Sequence, residues 1–311
     1  KDFFLYFFSP YYRLETKNSL IYFLSGRQEI RNKGIDIFIR SLVELNKKLK
    51  EDDPNIFVLI LVPSEVKDVD PVLLNNLNVY RNLEEKIEDL LPEVKSRLIH
   101  YFIHKERIIS QTLFEKEDFL EIQRIVKRLK VNNYYPISTH ILPENNPIIN
   151  LIKNIGLVNL PSNKVKIIYY PTYVRRGDGL INLNYDELIV GAHVGIFPSL
   201  YEPWGYTPLE TIASGVITIT TDLTGFSDYI SRYVQFNKDY PGLYILKRKG
   251  RRDVDIVEDL SNIMLGIAKL SKSARVENKI EARKIAKLCS WEKLISNYFD
   301  LYNMVLNKKL E

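Results

Sequence analysis

The sequence predicts an α/β fold: a doubly wound parallel sheet interrupted by a helical insertion. Three observations carry that expectation. Strand-length apolar runs alternate with helix-length amphipathic ones, the order that builds βαβ units. IFVLILV at 56–62 is apolar without a break, as a strand covered on both faces requires. Between residues 68 and 130 the alternation gives way to helical periodicity alone.

Taken in order, IYFLSG at 21–26 is the first strand. A helix at 36–50 follows, with Ile35, Phe38, Leu42, Leu45 and Leu49 recurring at helical spacing. IFVLILV is the second strand. Leu83, Ile87, Leu90 and Leu91, then Val94, Leu98 and Tyr101, then Phe119, Ile122, Val126 and Leu129 mark the amphipathic helices of an insertion at about 68–135. Later strands are VKIIYY at 165–170, VGIFP at 194–198, VITITT at 216–221 and LYIL at 243–246. Helices are expected near 185–192, 208–214, 255–271, 275–288 and 291–307. Residues 1–311 thus read as one domain with C-terminal helices at about 255–307. A ligand belongs beyond the carboxyl ends of its strands.

Composition narrows the classes of function. Hydrophobic residues at 45% and charged residues at 27% describe an ordinary globular chain. A net charge of +5 with mixed signs along the chain lacks the basic stripe of a nucleic-acid binder. No apolar run reaches membrane-spanning length, and no secretory signal opens the chain. The single cysteine, Cys289, rules out an internal disulfide framework and fits a reducing cytoplasm. The chain opens on lysine rather than methionine, as a fragment or processed chain would.

Two segments concentrate the candidate chemistry. In SGRQEIRNKG, 25–34, Gly26 lets the chain turn at a strand end, Arg27 and Lys33 supply two cations, and Gly34 opens a helix. Cations beside a helix start suit phosphate oxygens. A solvated basic loop would look the same. The pattern is neither GxGxxG nor a P-loop. In YEPWGYTPLET, 201–211, Glu202 and Glu210 flank a Pro-Trp-Gly-Tyr-Thr-Pro turn. Thr207 reads as a helix cap, Pro208 as the first helical residue, and Glu210 as the capping-box partner. That leaves Glu202, Trp204 and Gly205 without a structural reason. The backbone N–H groups of this turn would face the same pocket mouth as Arg27 and Lys33. Thr221, Thr224 and Gly225 form another polar turn at the same rim. Tyr173 and Tyr185 flank a polar loop, as a clamp for a planar base or as ordinary packing residues.

Other signals are weaker. Asp68-Val69-Asp70 and Asp253-Val254-Asp255 imitate a metal-binding DxD, a triplet that arises easily by chance among 39 acidic residues. His100 and His104 lie four apart with no third ligand, which disfavours zinc. His193 reads as a core or a sugar-contacting histidine. Cys289 reads as a packing residue.

GRQEIRNKG, YYPTY, NYDELIVGAHVGIFPSLYEPWGYTPLE and TDLTGFSDYI resemble the matching segments of glycogen synthases of the long animal and fungal branch. The similarity runs over nearly the whole chain, including the insertion and LCSWEKLISNYF. The E-x7-E spacing is broad among retaining glycosyltransferases, whereas EPWGYTP beside SGR…NKG is specific.

The resemblance implies one Rossmann-like half of a two-Rossmann-domain (GT-B) glycosyltransferase: the C-terminal, donor-binding half. It implies that Arg27 and Lys33 hold the diphosphate of UDP-glucose and that Tyr173 and Tyr185 sandwich uracil. Glu210 would bind ribose, Glu202 would contact the glucose near its reacting carbon, and Trp204, Gly205, Tyr206 and Thr207 would hold sugar and phosphate. It also implies an N-terminal Rossmann domain, on the same or a separate polypeptide, an α-glucan (glycogen) acceptor, and homo-oligomers formed through the insertion.

Transfer with retention is then expected by front-face attack, the leaving phosphate taking the acceptor's proton. A covalent Glu202 intermediate is the alternative. No metal cofactor is expected, because the protein itself supplies positive charge. The family's arginine-dense regulatory helix is here SKSARVENKIEARKIAKLCSW, where Glu277 and Glu281 interrupt Arg275, Lys279, Arg283 and Lys284; glucose-6-phosphate control is not expected. Competing readings are transfer from another nucleotide sugar or to another acceptor, and a nucleotide-binding or assembly module without transfer.

Overall fold

The computed structural model describes residues 2–104 and 113–308; Lys1, residues 105–112 of the expected insertion and 309–311 lie outside the described residues. Strand β2 (Asn55–Leu61) explains the architecture. Ile56, Val58 and Ile60 enter one apolar cluster, while Phe57, Leu59 and Leu61 enter a second one on the opposite face. Both faces of the strand are covered, each buried side chain contributing about 1.5–3 kcal/mol. This is why the run is apolar at every position.

The other long strands are β1 (Ser19–Ser25), β5 (Val165–Tyr170), β6 (Val194–Ile196), β7 (Ile217–Thr221) and β8 (Leu243–Leu246). All pairings in this sheet are parallel, in the order β5-β2-β1-β6-β7-β8. Counting its six members in chain order gives 3-2-1-4-5-6, the doubly wound arrangement whose topological switch lies between the first and fourth strands. The expected fold class is the observed one. Helices α2 (Ile35–Lys48), α5 (Pro147–Asn154) and α9 (Asp253–Lys269) pack on one face. On the other lie α1 (Asp2–Phe8), α6 (Tyr185–Val190), α7 (Tyr206–Ala213), α8 (Gly225–Tyr233) and α10 (Lys272–Ala286).

The helical excursion leaves and returns between β2 and β5. Its neck is a two-stranded antiparallel ladder, β3 (Asp68–Val69) with β4 (His140–Ile141). Helix α3 (Pro71–His104) runs 34 residues straight through Pro92. Lys86 ties it to α4 (Lys116–Val126) by bonds to Asp118 at 2.9 Å and Glu121 at 2.8 Å. The C-terminal α11 (Trp291–Lys308) buries none of its residues. Among the described residues no helix is long and apolar enough to cross a membrane.

Helix α10 sorts the charges that look mixed in the sequence. Arg275, Lys279 and Arg283 lie four apart and share a face. Lys279 Nζ donates to the Ala192 carbonyl at 3.4 Å, and Arg283 lies against Gly215. Glu277 and Glu281 occupy the opposite side, where Glu281 pairs with Lys284 at 2.9 Å. The acids therefore lie apart from the basic face.

Candidate active site

Two segments meet at the topological switch. The first leaves β1 at Ser25 and ends at Gly34, the residue before α2. Gly34 has φ 66°, and a Cβ there would lie 1.9 Å from the Pro198 carbonyl oxygen. Only glycine permits both the left-handed turn and this approach. Leu200 N–H donates to the Asn32 carbonyl at 2.7 Å, fastening the loop to the second segment.

That second segment, 197–205, is an arm leaving β6. The Thr221 hydroxyl donates to the Ser199 carbonyl at 2.8 Å. Glu202 N–H donates to Leu223 O at 3.3 Å, and its carbonyl accepts from Gly225 N–H at 3.1 Å. Glu202 is thus held by its backbone on both sides, and its carboxylate is not needed to anchor the arm. Lys33 Nζ donates to Glu202 Oε2, with the two side chains only 15% and 25% exposed.

The expected helix start needs correction. Helix α7 begins at Tyr206, and its N-cap is Gly205 with φ 118°, with no side-chain capping bond. Thr207 and Pro208 are already helical, so the Thr207–Glu210 capping box does not form. The reason is steric: the left-handed turn at Gly205 starts the helix one residue before Thr207 is available as a cap. The unsatisfied first-turn N–H groups and the positive end of the helix dipole are left for an anion.

Around these segments lies a cleft of about 610 Å³. Arg27, Lys33, Glu202 and Glu210 line it, with Tyr206 and Thr207 at the helix start and Tyr173 and Tyr185 on a third side. Arg27 is 76% exposed and its Nε lies 3.1 Å from Glu29 Oε1. The Glu29 carboxyl sits below its ordinary range, chiefly through a hydrogen bond from Asn32 and then the charges of Arg27 and Lys33. Tyr173 is exposed at the rim, whereas Tyr185 is largely covered and its hydroxyl lies 2.6 Å from Ser25 Oγ. Burial, and then the charge of Glu210, push the Tyr185 phenol up to about 12, against the opposing Ser25 hydrogen bond. Ser25 is a lining residue that sequence reasoning passed over. Its signal was a polar residue closing an apolar strand at the ligand end of the sheet.

Two of the expected residues support the site from behind. Gly205 is buried at the helix start. Trp204 packs beneath the turn, its ring centroid 6.1 Å from Phe226 and 5.7 Å from Tyr229. His193 is not part of the cleft. It precedes β6 at the amino end of the sheet, where Nδ1 accepts from Ile21 N–H at 3.1 Å, and it lines a different cavity beside α1. A residue at the start of a parallel strand cannot reach ligands gathered at the strand ends, so its sugar-contacting role is withdrawn.

The acidic triplets have structural partners. Asp70 accepts from Val72 and Leu73 N–H at the start of α3. Asp253 pairs with Arg31 and Arg40, and Asp255 with Arg252.

Known proteins resemble this chain in sequence and in fold. The family model described as glycogen synthase matches residues 1–310. The chain is 30% identical over 309 residues to the glycogen [starch] synthase of Neurospora crassa, covering 97% of this chain and 44% of that protein. Isoform 2 of the Saccharomyces cerevisiae enzyme is 29% identical, with 94% of this chain and 44% of the relative covered. The chain therefore spans less than half the length of these relatives. In fold it is similar to the α,α-trehalose 6-phosphate synthase of Burkholderia multivorans, with a TM-score of 0.50 at 9% identity, over 94% of this chain and 44% of that one. With the family model matched from residue 1 to residue 310, this chain belongs to the glycogen synthase family.

Proposed function

We propose that this chain is the donor-binding half of a cytoplasmic, UDP-glucose-dependent glycogen synthase that transfers glucose with retention to an α-1,4-glucan. The observation that carries the reading is the cleft at the switch point, which gathers Arg27, Lys33, the uncapped start of α7 and Glu202. Arg27, Lys33 and the first-turn N–H groups hold the diphosphate and stabilise the negative charge that grows on it as the glycosidic bond breaks. With that positive charge supplied by the protein, the reaction needs no metal. Tyr185, fixed by Ser25, and Tyr173 at the rim take the uracil between them. Glu210 takes the ribose hydroxyls.

Glu202 orients the glucose and favours positive charge at its reacting carbon. Before the donor arrives Glu202 neutralises Lys33, and a bound diphosphate competes for that cation. The acceptor hydroxyl attacks from the face the phosphate leaves, and the leaving phosphate takes its proton.

Holding the acceptor in place is the work of a matching N-terminal half, because alignment of this kind is worth roughly 7–11 kcal/mol. A transfer assay with radiolabelled UDP-glucose and glycogen tests the division of labour. The 311-residue chain alone should give background counts, and addition of the N-terminal half should restore turnover. Robust transfer by the chain alone would overturn it.

A further inference from the structure

Arg248 has no place in the chemistry proposed above, yet it lies directly beneath it. It follows β8, and its backbone N–H donates to Asp222 Oδ1 at 2.8 Å. Lys249 N–H shares the same oxygen at 3.2 Å, which fixes the turn. The Arg248 side chain is only 3% exposed. Its Nη1 donates to the Pro198 carbonyl. An ideal Cβ on Gly34 would lie 2.9 Å from that same nitrogen. One guanidinium therefore touches both segments of the site at the point where they cross. Lys33 adjoins Gly34, and Glu202 lies on the arm that begins at Pro198.

This arrangement is expensive for the fold. Burial lowers the affinity of the guanidinium for its proton, with Asp36 only partly opposing. Nη2 of Arg248 and Oδ1 of Asp36 are both buried without a hydrogen-bond partner among the described residues. A buried charge with an unpaired donor is costly to desolvate, and only the contacts it does make offset that cost. The contact to Pro198 and Gly34 is what the residue supplies in return.

We propose that Arg248 is a positioning residue for the donor site: it sets the distance between the Gly34 turn and the Pro198 arm, and through them the placing of Lys33 and Glu202 around a diphosphate. The inference rests on reading the cleft as a nucleotide-diphosphate site. It applies to UDP binding by the chain itself, so catalysis is not needed to test it.

The experiment compares wild type, Arg248→Met and Arg248→Lys by calorimetry with UDP and by thermal melting. Methionine fills the space without charge or donor, whereas lysine keeps the charge and one donor. A positioning role predicts that R248M, at a temperature where its melt shows it folded, binds UDP about tenfold more weakly than wild type, and that R248K binds about threefold more weakly. A purely structural role predicts a lowered melting temperature with affinity unchanged, and that result overturns the inference. Should R248M lack a cooperative melt, R248K decides alone. At least threefold weaker binding at an unchanged melting temperature supports the proposal, and wild-type affinity overturns it. A wild-type chain that binds no UDP refutes the donor-site reading itself, and the role of Arg248 falls with it.

Discussion

Lys33 Nζ and Glu202 Oε2 form an ion pair across the cleft, joining the loop after β1 to the arm after β6. The pair couples the cation that would hold a diphosphate to the carboxylate that would face the sugar. It predicts that the two roles separate on mutation.

Glu202→Gln should leave UDP affinity unchanged or improved, because Lys33 is released from its partner. Transfer by the assembled protein should fall on the order of 10²–10³-fold through lost electrostatic stabilisation. Calorimetry with UDP and the radiolabelled transfer assay read the two effects independently. Parallel losses of affinity and turnover would assign Glu202 to nucleotide binding instead.

Much of this site was legible in the sequence because its parts are local. Gly34 and Gly205 each have a positive φ, and both stand out as glycines bordering a helix beside charged or polar residues. IFVLILV at 56–62 matches the observed Asn55–Leu61 to within a residue because residues buried on both faces leave an unbroken apolar run. Three helices escaped. After Asp2, DFFLYFF of α1 is aromatic or aliphatic at every position and shows no period. Helix α5 is announced only by Asn146-Pro147, a cap and a first helical residue in a segment of eight residues. Helix α8 reads as a polar turn in the sequence, although Thr224 caps it by accepting from Ser227 N–H at 3.1 Å. Arg248 left no signal at all. Its partner Pro198 lies 50 residues away, and in the sequence it is one cation within KRKGRR.

The insertion should mediate self-association. Phe102 and Ile103 of α3 are 73% and 69% exposed, and Leu91 and Ile99 are also more than half exposed. Apolar faces of this extent mark contact surfaces. Light scattering should report an oligomer for the intact chain and a monomer once about 70–130 is removed. A monomeric intact chain would contradict the assignment.

Lys166 gives a pH dependence of stability. It is 3% exposed, its Nζ donates to the Leu160 and Pro161 carbonyls, and burial pushes its pKa down to about 8. Between that value and the ordinary lysine range the unfolded chain holds the extra proton, so stability rises with pH across about 8 to 10.4. Denaturant titrations should show wild type gaining about 1–3 kcal/mol relative to Lys166→Met over that window. Tyrosines and Cys289 titrate in both proteins and cancel in the difference. A flat difference would show that Lys166 keeps its charge in the folded chain.

The central claim is that the cleft beside Arg27 and Lys33 is a nucleotide-diphosphate site, and calorimetry with UDP on this chain tests it most directly. Wild type should bind UDP in preference to ADP. Arg27→Ala and Lys33→Ala should each weaken UDP binding by about 1.5–3 kcal/mol, the value of a charge-assisted contact. Wild-type affinity in both variants, or no UDP binding at all, would contradict the account.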